Sequence, residues 1–393
     1  MSKSRDPRTI AAANGVATDS AFGAVTPPIH LSTTFAFDGF ERSRGHDYSR
    51  TSNPTRSLLA ETLAEIEGGA GAVIVSSGMA AIDLVFSQLR SDDLVVAPHD
   101  CYGGTHRLLC ARRERQHFDV VFVDQNDEQA VGEALDGYPA MVLVETPSNP
   151  LMRVVDIRSI ADRAGKRGAK LVVDNTFLSP ALQRPLLLGA DYVVHSTTKY
   201  LNGHSDVVGG AVVAATQSDA EVLAAWANVV GVTASPFDCY LTLRGIRTLF
   251  PRVAQQQETA FAIARHLERH PLVSAVHYPG LRSHPGHETA KKQQSGFGAM
   301  LSFELKGGRD AVRRFVESVR IFTLAESLGG VESLVAHPAT MTHAGMDAEA
   351  RRMAGITDAL LRLSVGLEAE ADLIEDLDRA LALAAEPALE QPA

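Results

Sequence analysis

The sequence predicts an α/β fold, in which a mostly parallel seven-stranded sheet domain is followed by a smaller α+β C-terminal domain. Short apolar runs rich in β-branched residues recur roughly every 20 to 30 residues, the repeat that a strand and its crossover helix need. They are apolar on both faces, which is typical of strands covered by helices on both sides. The seven runs are 72–77, 94–97, 119–123, 140–145, 170–174, 191–195 and 209–215.

Residues 1–60 are polar and irregular, and we interpret them as an N-terminal arm. A helix is predicted to begin near Thr55, because Leu58, Leu59 and other apolar positions fit one helical face. Gly68 and Gly69 are expected to end this helix. The strand rhythm then defines a predicted α/β domain over 61–255.

After residue 255 the pattern changes to helices and strands with fewer crossovers, which predicts an α+β domain over 256–393. Helical periodicity at 258–270 is followed by apolar strand-like stretches and a second helical stretch from residue 309. A last helix is predicted from about residue 370 to 385.

Composition excludes several classes of function. The chain has 393 residues, is 45% hydrophobic and carries a formal net charge of -10, which disfavours nucleic acid or an anionic membrane surface as a partner. No run of 18 apolar residues is present, so no membrane span is expected. The three cysteines form no C-x-x-C pair, and with no apolar leader visible they predict a cytoplasmic protein and no structural metal site.

Polar residues follow several of the predicted strands, at the sheet edge where ligands of open α/β sheets bind. Gly78 and Met79 follow the first strand and could offer backbone N–H groups to a phosphate. Tyr102 follows the second strand and could stack on a planar ring. Asn149 lies in the polar stretch after the fourth strand. Taken singly, Gly78 and Asn149 are better explained as parts of ordinary turns, and for Tyr102 a turn explains the residue as well as stacking does.

The fifth and sixth strands end on further candidates. Asp174 closes the fifth strand, where an acid is usually a helix cap or a turn former. After the sixth strand, Ser196 and Thr198 surround Lys199, which alone would be taken for a solvent-facing lysine.

Together, these side chains match the needs of pyridoxal phosphate. The amine of Lys199 can form an imine with the aldehyde, and the carboxylate of Asp174 can keep the pyridine nitrogen protonated. Tyr102 supplies a stacking ring, and hydroxyl and N–H groups can hold the phosphate. Neither a G-x-G-x-x-G nor a G-x-x-x-x-G-K-[ST] motif occurs, which disfavours a nicotinamide enzyme.

At these residues the sequence resembles the Cys/Met-metabolism group of fold-type-I pyridoxal-phosphate enzymes. The resemblance covers nearly the whole chain and is carried by stretches that include "DYSRTSNPTR", "SSGMAAI", "DCYGGT", "VETPSNPL", "VVDNTFLSPALQ", "HSTTKYLNGHSDVVGG", "LAESLGGVESLVAHPATMTHAGM" and "LLRLSVGLE". It implies a fold-type-I transferase with pyridoxal 5'-phosphate as its cofactor.

The resemblance also implies roles for individual residues. Lys199, Tyr102 and Asp174 match the Schiff-base lysine, the stacking tyrosine and the acid that pairs with the pyridine nitrogen, and are expected to be catalytic. The residues matched to the phosphate cradle are Gly78, Met79, Ser196 and Thr198.

Further matches concern the substrate and the neighbouring subunit. Tyr48 and Arg50 match a pair that reaches the phosphate of the neighbouring subunit, so residues 1–60 are expected to complete that site. Arg362 matches the arginine that binds the substrate α-carboxylate, with Asn149 and Ser327 in the same cleft. Members of the group are usually homotetramers made of two active-site dimers.

The reaction that the resemblance implies is a γ-replacement joining an O-acyl-homoserine, with succinyl as the expected acyl group, to cysteine. Glu326 resembles the γ-specific members, whereas β-lyases carry an aromatic residue there. Methionine-cleaving relatives place a cysteine at the position of Gly104, so methionine cleavage is disfavoured. Arg107 could bind the distal carboxylate of a succinyl ester, although an arginine at this position is more often an ordinary helix-surface residue. Cystathionine γ-elimination and sulfhydrylation of the same ester remain open.

Two other classes of function fit parts of the sequence. A metal hydrolase would use some of the 14 histidines, but "HPGHE" lacks the helical H-E-x-x-H pattern. A non-catalytic regulator on the same fold would form the imine without turning over any homoserine ester.

Overall fold

The computed structural model describes residues 5–346 and 348–385. Within these residues, seven strands form a large sheet in the order β1-β7-β6-β5-β4-β2-β3. The strands are β1 Gly71–Val75, β2 Leu94–Pro98, β3 Asp119–Val123, β4 Met141–Glu145, β5 Lys170–Asp174, β6 Tyr192–Ser196 and β7 Gly210–Ala214. All but β7 run in one direction, so the predicted fold class is confirmed.

The helices that accompany the large sheet cover both of its faces. They are α1 Pro7–Ala13, α2 Pro54–Glu67, α3 Gly78–Phe86, α4 Gly103–Glu114, α5 Glu128–Leu135, α6 Ile157–Gly165, α7 Ser179–Leu182, α8 Gln217–Val230 and α9 Pro236–Ile246, with a 3-10 turn at Pro185–Leu188.

A second sheet follows in the order β10-β11-β12-β9-β8. Its strands are β8 Val273–His277, β9 Met300–Leu305, β10 Thr323–Leu324, β11 Leu334–Ala336 and β12 Leu360–Ser364. The helices of this part are α10 Leu249–Glu268, α11 His287–Gln293, α12 Gly308–Ser318, α13 Ala348–Ala354 and α14 Glu370–Ala384. The domain boundary predicted at residue 255 falls inside α10, whose apolar face belongs to a core cluster shared by both sheets. The division into domains therefore stays a prediction.

Local chemistry explains where the helices begin. The side chain of Asn53 accepts hydrogen bonds from the N–H groups of Thr55 and Arg56, and Pro54 occupies the first position of α2, where a missing N–H costs nothing. Gly68 ends the helix with φ 79°, a left-handed conformation that favours glycine. The helix predicted from near Thr55 is thus present.

The topology places the site. The chain runs outward from β2 to β3 and then returns to β4, from which it proceeds in the opposite direction across the sheet. This reversal leaves a crevice between β2 and β4 at the carboxyl edge, where ligands of open α/β sheets bind. No helix among residues 5–346 and 348–385 is long and apolar enough to span a membrane.

Candidate active site

A cavity of about 290 Å³ opens at the carboxyl edge of the large sheet and reaches the second sheet. It brings together eleven of the predicted residues. These are Gly78, Met79, Tyr102, Asn149, Asp174, Ser196, Thr198, Lys199, Glu326, Ser327 and Arg362. Residues separated by nearly 300 positions in the sequence therefore share one site.

Lys199 lies one turn beyond the end of β6, with its amine inside the cavity. Its Nζ donates a hydrogen bond to Oγ of Ser327 over 2.8 Å. Burial, followed by the positive charge of Arg362, lowers the pKa of Lys199 to about 8, and the negative charge of Glu326 partly opposes this shift. An amine in this state is partly neutral near physiological pH and can serve as nucleophile and base.

Arg362 occupies the middle of β12 and is only 2% exposed. Its Nη1 donates to Oδ1 of Asn149 over 3.0 Å, and its Nη2 donates to the carbonyl oxygen of Ser327 over 2.8 Å. Its Nε is buried and has no hydrogen-bond partner among the described residues. A buried guanidinium with an unsatisfied donor facing a cavity is suited to a carboxylate.

Asp174 is the last residue of β5. Its Oδ1 accepts a hydrogen bond from the N–H of Thr176 over 3.0 Å. Burial raises the pKa of Asp174, and the contact with Thr176 and the charge of His195 only partly offset this. The pKa of Asp174 is raised because this carboxylate has no full cationic partner. Such a group is suited to pair with a protonated ring nitrogen.

The loop between β1 and α3 approaches β6 closely. A Cβ atom at Gly78 would lie 2.7 Å from Cβ of Ser196, so only glycine allows this approach. Ser77 caps α3 by accepting the N–H of Ala80. The hydroxyl of Thr198 donates to the carbonyl of Gly209 over 3.2 Å. The first N–H groups of α3 and the hydroxyls after β6 thus form a small polar cradle.

Tyr102 precedes α4 and is 38% exposed, with its ring against the cavity. A Cβ atom added at Gly104 would lie 2.5 Å from Cε1 of Tyr102 and 2.9 Å from Sδ of Met79. The absence of a side chain at Gly104 therefore leaves room for the ring. The backbone N–H of Tyr102 donates to Oε2 of Glu145 over 2.8 Å.

Three predicted residues do not line the cavity. Arg107 is exposed one turn along α4, beside the segment that contains Gly345. Arg50 donates to Oδ1 of Asn228 over 3.1 Å, and its guanidinium lies 5.3 Å from the ring centroid of Tyr48. Arg50 lines a separate pocket beside α8.

Sequence reasoning missed several residues of the cavity. Glu145 ends the apolar strand β4 directly, as Asp174 ends β5, and that parallel could have identified it. Thr176 follows Asp174 by two residues and orients it. Thr342 reaches the cavity from a loop distant in sequence, and no local pattern predicts its position.

The residues present fit pyridoxal phosphate. Nε of Arg362 needs an acceptor such as a substrate carboxylate, and Asp174 needs a cation. Lys199 offers an amine with a lowered pKa, and the cradle at Gly78 has no space for a side chain but exposes helix N–H groups. Each end of the cofactor and of its amino-acid substrate therefore has a chemically matched group.

Comparisons with known proteins place the chain among such enzymes. The family model described as "Cys/Met metabolism PLP-dependent enzyme" matches residues 8–382. A cystathionine gamma-synthase of Escherichia coli strain K12 is 57% identical over 375 residues, covering 95% of this chain and 97% of that protein. A cystathionine gamma-lyase of Bacillus subtilis strain 168 is 44% identical over 374 residues, covering 95% and 98%.

A solved structure agrees with these relatives. The crystal structure of cystathionine gamma synthase from Xanthomonas oryzae pv. oryzae in complex with cystathionine superposes with a TM-score of 0.96 at 57% identity. The match covers 97% of this chain and 98% of that one.

Proposed function

The chain belongs to the Cys/Met metabolism family of pyridoxal-phosphate-dependent enzymes, and from this premise we propose that it catalyses a γ-replacement. The substrates are an O-acyl-L-homoserine and L-cysteine, and the product is L-cystathionine. The family predicted from the sequence motifs and its cofactor are confirmed by the match over residues 8–382.

One observation carries the proposal: Lys199 and Arg362 converge on the same residue. The hydroxyl of Ser327 accepts a hydrogen bond from Nζ of Lys199, and the carbonyl oxygen of Ser327 accepts one from Nη2 of Arg362, each over 2.8 Å. An α-carboxylate held at Nε of Arg362 brings the substrate's Cα towards the amine of Lys199. The site is therefore arranged to move protons next to an anchored amino acid.

The chain's residues have distinct roles in this reaction. When bound, pyridoxal phosphate supplies an aldehyde for the substrate's amino group and a ring that accepts the electron pair released at Cα. Asp174 would hold the ring's nitrogen, Tyr102 would cover one ring face, and the cradle at Gly78 would hold the phosphate. Arg362 keeps the α-carboxylate in place throughout.

Lys199 moves the protons. With a pKa of about 8, about one amine in ten is neutral at pH 7 and able to take the Cα proton and then a Cβ proton. The C–O bond at Cγ breaks and the acyl group leaves as a carboxylate. The thiol of cysteine loses its proton to solvent, the resulting thiolate forms the new C–S bond at Cγ, and the protons that Lys199 took return to Cβ and Cα.

The acyl group that we propose is succinyl. Arg107 is exposed on α4, five residues after Tyr102, and we propose that its guanidinium binds the distal carboxylate. Glu326 also lines the cavity, and we propose that its carboxylate contacts the substrate.

The assembly that we propose is a homotetramer of two active-site dimers. The N-terminal arm exposes apolar side chains, including Phe22 at 94% and Phe40 at 91%, as a segment that packs on another subunit does. Tyr48 and Arg50 lie away from their own cavity and would reach the partner's phosphate. We place the enzyme in the cytoplasm, a reducing compartment in which Cys101, Cys110 and Cys239 would remain thiols.

Steady-state kinetics with succinyl, acetyl and phosphoryl esters of homoserine, each with and without cysteine, tests the proposal. We expect cystathionine to form fastest from the succinyl ester with cysteine, and Arg107→Ala to raise KM for that ester more than for the acetyl ester. Conversion of cystathionine to 2-oxobutanoate faster than its synthesis from any ester would instead assign a γ-lyase.

A further inference from the structure

Glu145 lines the cavity, although the family resemblance assigns it no role in binding the cofactor or the substrate. It is the last residue of β4, and the register of the parallel pair places it directly beside Asp174, the last residue of β5. Side chains at paired positions of neighbouring parallel strands project to the same face, about 4.8 Å apart. Both carboxylates line the cavity.

The carboxylate of Glu145 is 7% exposed and accepts two backbone hydrogen bonds. Oε2 accepts the N–H of Tyr102 over 2.8 Å, and Oε1 accepts the N–H of Asn149 over 3.0 Å. The contact with Asn149 closes a local turn. The contact with Tyr102 spans 43 positions of sequence and joins β4 to the loop between β2 and α4, so it does more than close a local turn.

Each of the two donors leads to a different part of the site. Tyr102 carries the ring that lies against the cofactor cavity. Oδ1 of Asn149 accepts a hydrogen bond from Nη1 of Arg362 over 3.0 Å, and this bond orients the guanidinium. One carboxylate therefore fixes the backbone of the stacking residue and of the residue that orients the substrate arginine.

We propose that Glu145 is a positioning residue that couples Tyr102, which stacks on the cofactor ring, to Arg362, which binds the substrate carboxylate. Glu145 acts through its hydrogen bonds to two backbone N–H groups, and not by contact with the reacting atoms of the cofactor or the substrate. The order of contacts is Tyr102 N–H, Glu145, Asn149 N–H, and then Asn149 Oδ1 to Arg362. The proposal rests on the proposed function only for what these two residues bind: the cofactor ring at Tyr102 and the substrate carboxylate at Arg362.

The arrangement requires a carboxylate because both N–H groups need an acceptor. An amide at this position has one oxygen and would turn an NH₂ donor towards one of the two N–H donors. Burial, followed by the negative charge of Asp174, raises the pKa of Glu145 well above its usual range, while the N–H donors of Tyr102 and Asn149 favour the carboxylate. Keeping an acid here at this cost is expected where both acceptor oxygens are needed.

The test uses Glu145→Gln in the full-length protein, with two binding measurements that need no turnover. Pyridoxal phosphate titrated into the apoenzyme measures the cofactor dissociation constant. L-Alanine titrated into the holoenzyme, followed by its change in the visible absorption band, measures binding at Arg362. We expect both dissociation constants to rise by about 10-fold or more, because one change disturbs both contacts.

Asp376→Asn is the matched control, because Asp376 is also a buried carboxylate that accepts backbone N–H groups, but outside the cavity. It should lower the thermal midpoint and leave both dissociation constants within about twofold. Glu145→Asp, which keeps the charge but shortens the reach, should weaken both ligands by a smaller factor and serves if the amide variant does not fold.

A double-mutant cycle with Asn149→Ala completes the test. If Glu145 acts on Arg362 through Asn149, the effects of the two changes on L-alanine binding are less than multiplicative. Unchanged dissociation constants in a folded Glu145 variant, or fully multiplicative effects in the cycle, would overturn the proposal. Neither result depends on γ-replacement, so the loss of that activity alone would count only against the proposed reaction.

Discussion

Two regions bury carboxylates that accept backbone N–H groups, yet their pKa values move in opposite directions. At the carboxyl edge of the large sheet, burial raises the pKa of Asp174 and of its neighbour Glu145. In the C-terminal part, burial alone would raise the pKa of Asp376, but N–H donors from residues 320–322 and a side-chain hydrogen bond from Arg379 lower this pKa overall.

The opposite directions of these pKa shifts distinguish a region that stabilises the fold from a region that is suited to bind ligands and catalyse a reaction. Asp376 on α14 has a full complement of partners and connects this helix to the segment after α12. Asp174 is half-buried without a full cationic partner, and Arg362 is buried with an unsatisfied Nε donor. A bound ligand can satisfy both groups. Changes at the sheet edge should therefore cost activity, and changes at Asp376 should cost stability.

Replacing Lys199 by alanine should have the largest effect. We expect kcat to fall at least about 10³-fold, because the variant lacks the amine that moves both protons. Lys292→Ala, on the exposed surface of α11, is the control and should retain activity. Near-normal turnover by the Lys199 variant would remove this residue from the site.

Asp174→Asn should lower kcat about 10²- to 10⁴-fold, since a neutral amide cannot hold a protonated ring nitrogen. A carboxylate whose pKa is raised by folding lowers stability at pH values above that pKa. The apoenzyme of this variant should therefore unfold at the same temperature as the parent or a higher one in calorimetry. A marked fall in its midpoint would make Asp174 a structural residue.

Asp376→Asn should show the reverse behaviour, with kcat retained and the free energy of unfolding reduced by about 1–3 kcal/mol. Because folding lowers this pKa, the stabilisation is present above the usual value of 3.8 and is lost as the pH falls through the folded value. Denaturant unfolding should show the gap between parent and variant narrowing below about pH 4. A constant gap would contradict the assigned charge interaction.

Glu326→Gln should have the smallest effect, a shift in the pKa of Lys199. The negative charge of Glu326 raises this pKa, so its removal should move the value below about 8. The pH dependence of the rate at which apoenzyme combines with pyridoxal phosphate reports it. Arg362→Gln should shift the value upward, and a shift of the same sign in both variants would contradict the geometry.

The sequence predicted the large sheet well because its strands are buried on both faces and therefore read as uninterrupted apolar runs. It did not predict β10, whose two residues Thr323 and Leu324 are exposed and form no apolar run. The helix α1, at Pro7–Ala13, was missed within the irregular N-terminal arm because seven residues show too little periodicity.

For the site, residues that directly follow strands were predictable, since topology alone carries Asp174 and Lys199 to one edge. The role of Arg362 came from family resemblance, because an arginine inside an apolar strand looks the same whether it faces solvent or a cavity. Glu145 was overlooked in the turn-like stretch "ETPSNP", and its contact with Tyr102 depends on strand order, which local sequence does not encode.

Borohydride reduction of the holoenzyme, followed by peptide mapping, tests the central claim most directly. Reduction fixes an imine between pyridoxal phosphate and the lysine that holds it. The account predicts one modified peptide per chain, with the added mass on Lys199. Modification of another lysine, with the Lys199 peptide unchanged, would contradict it.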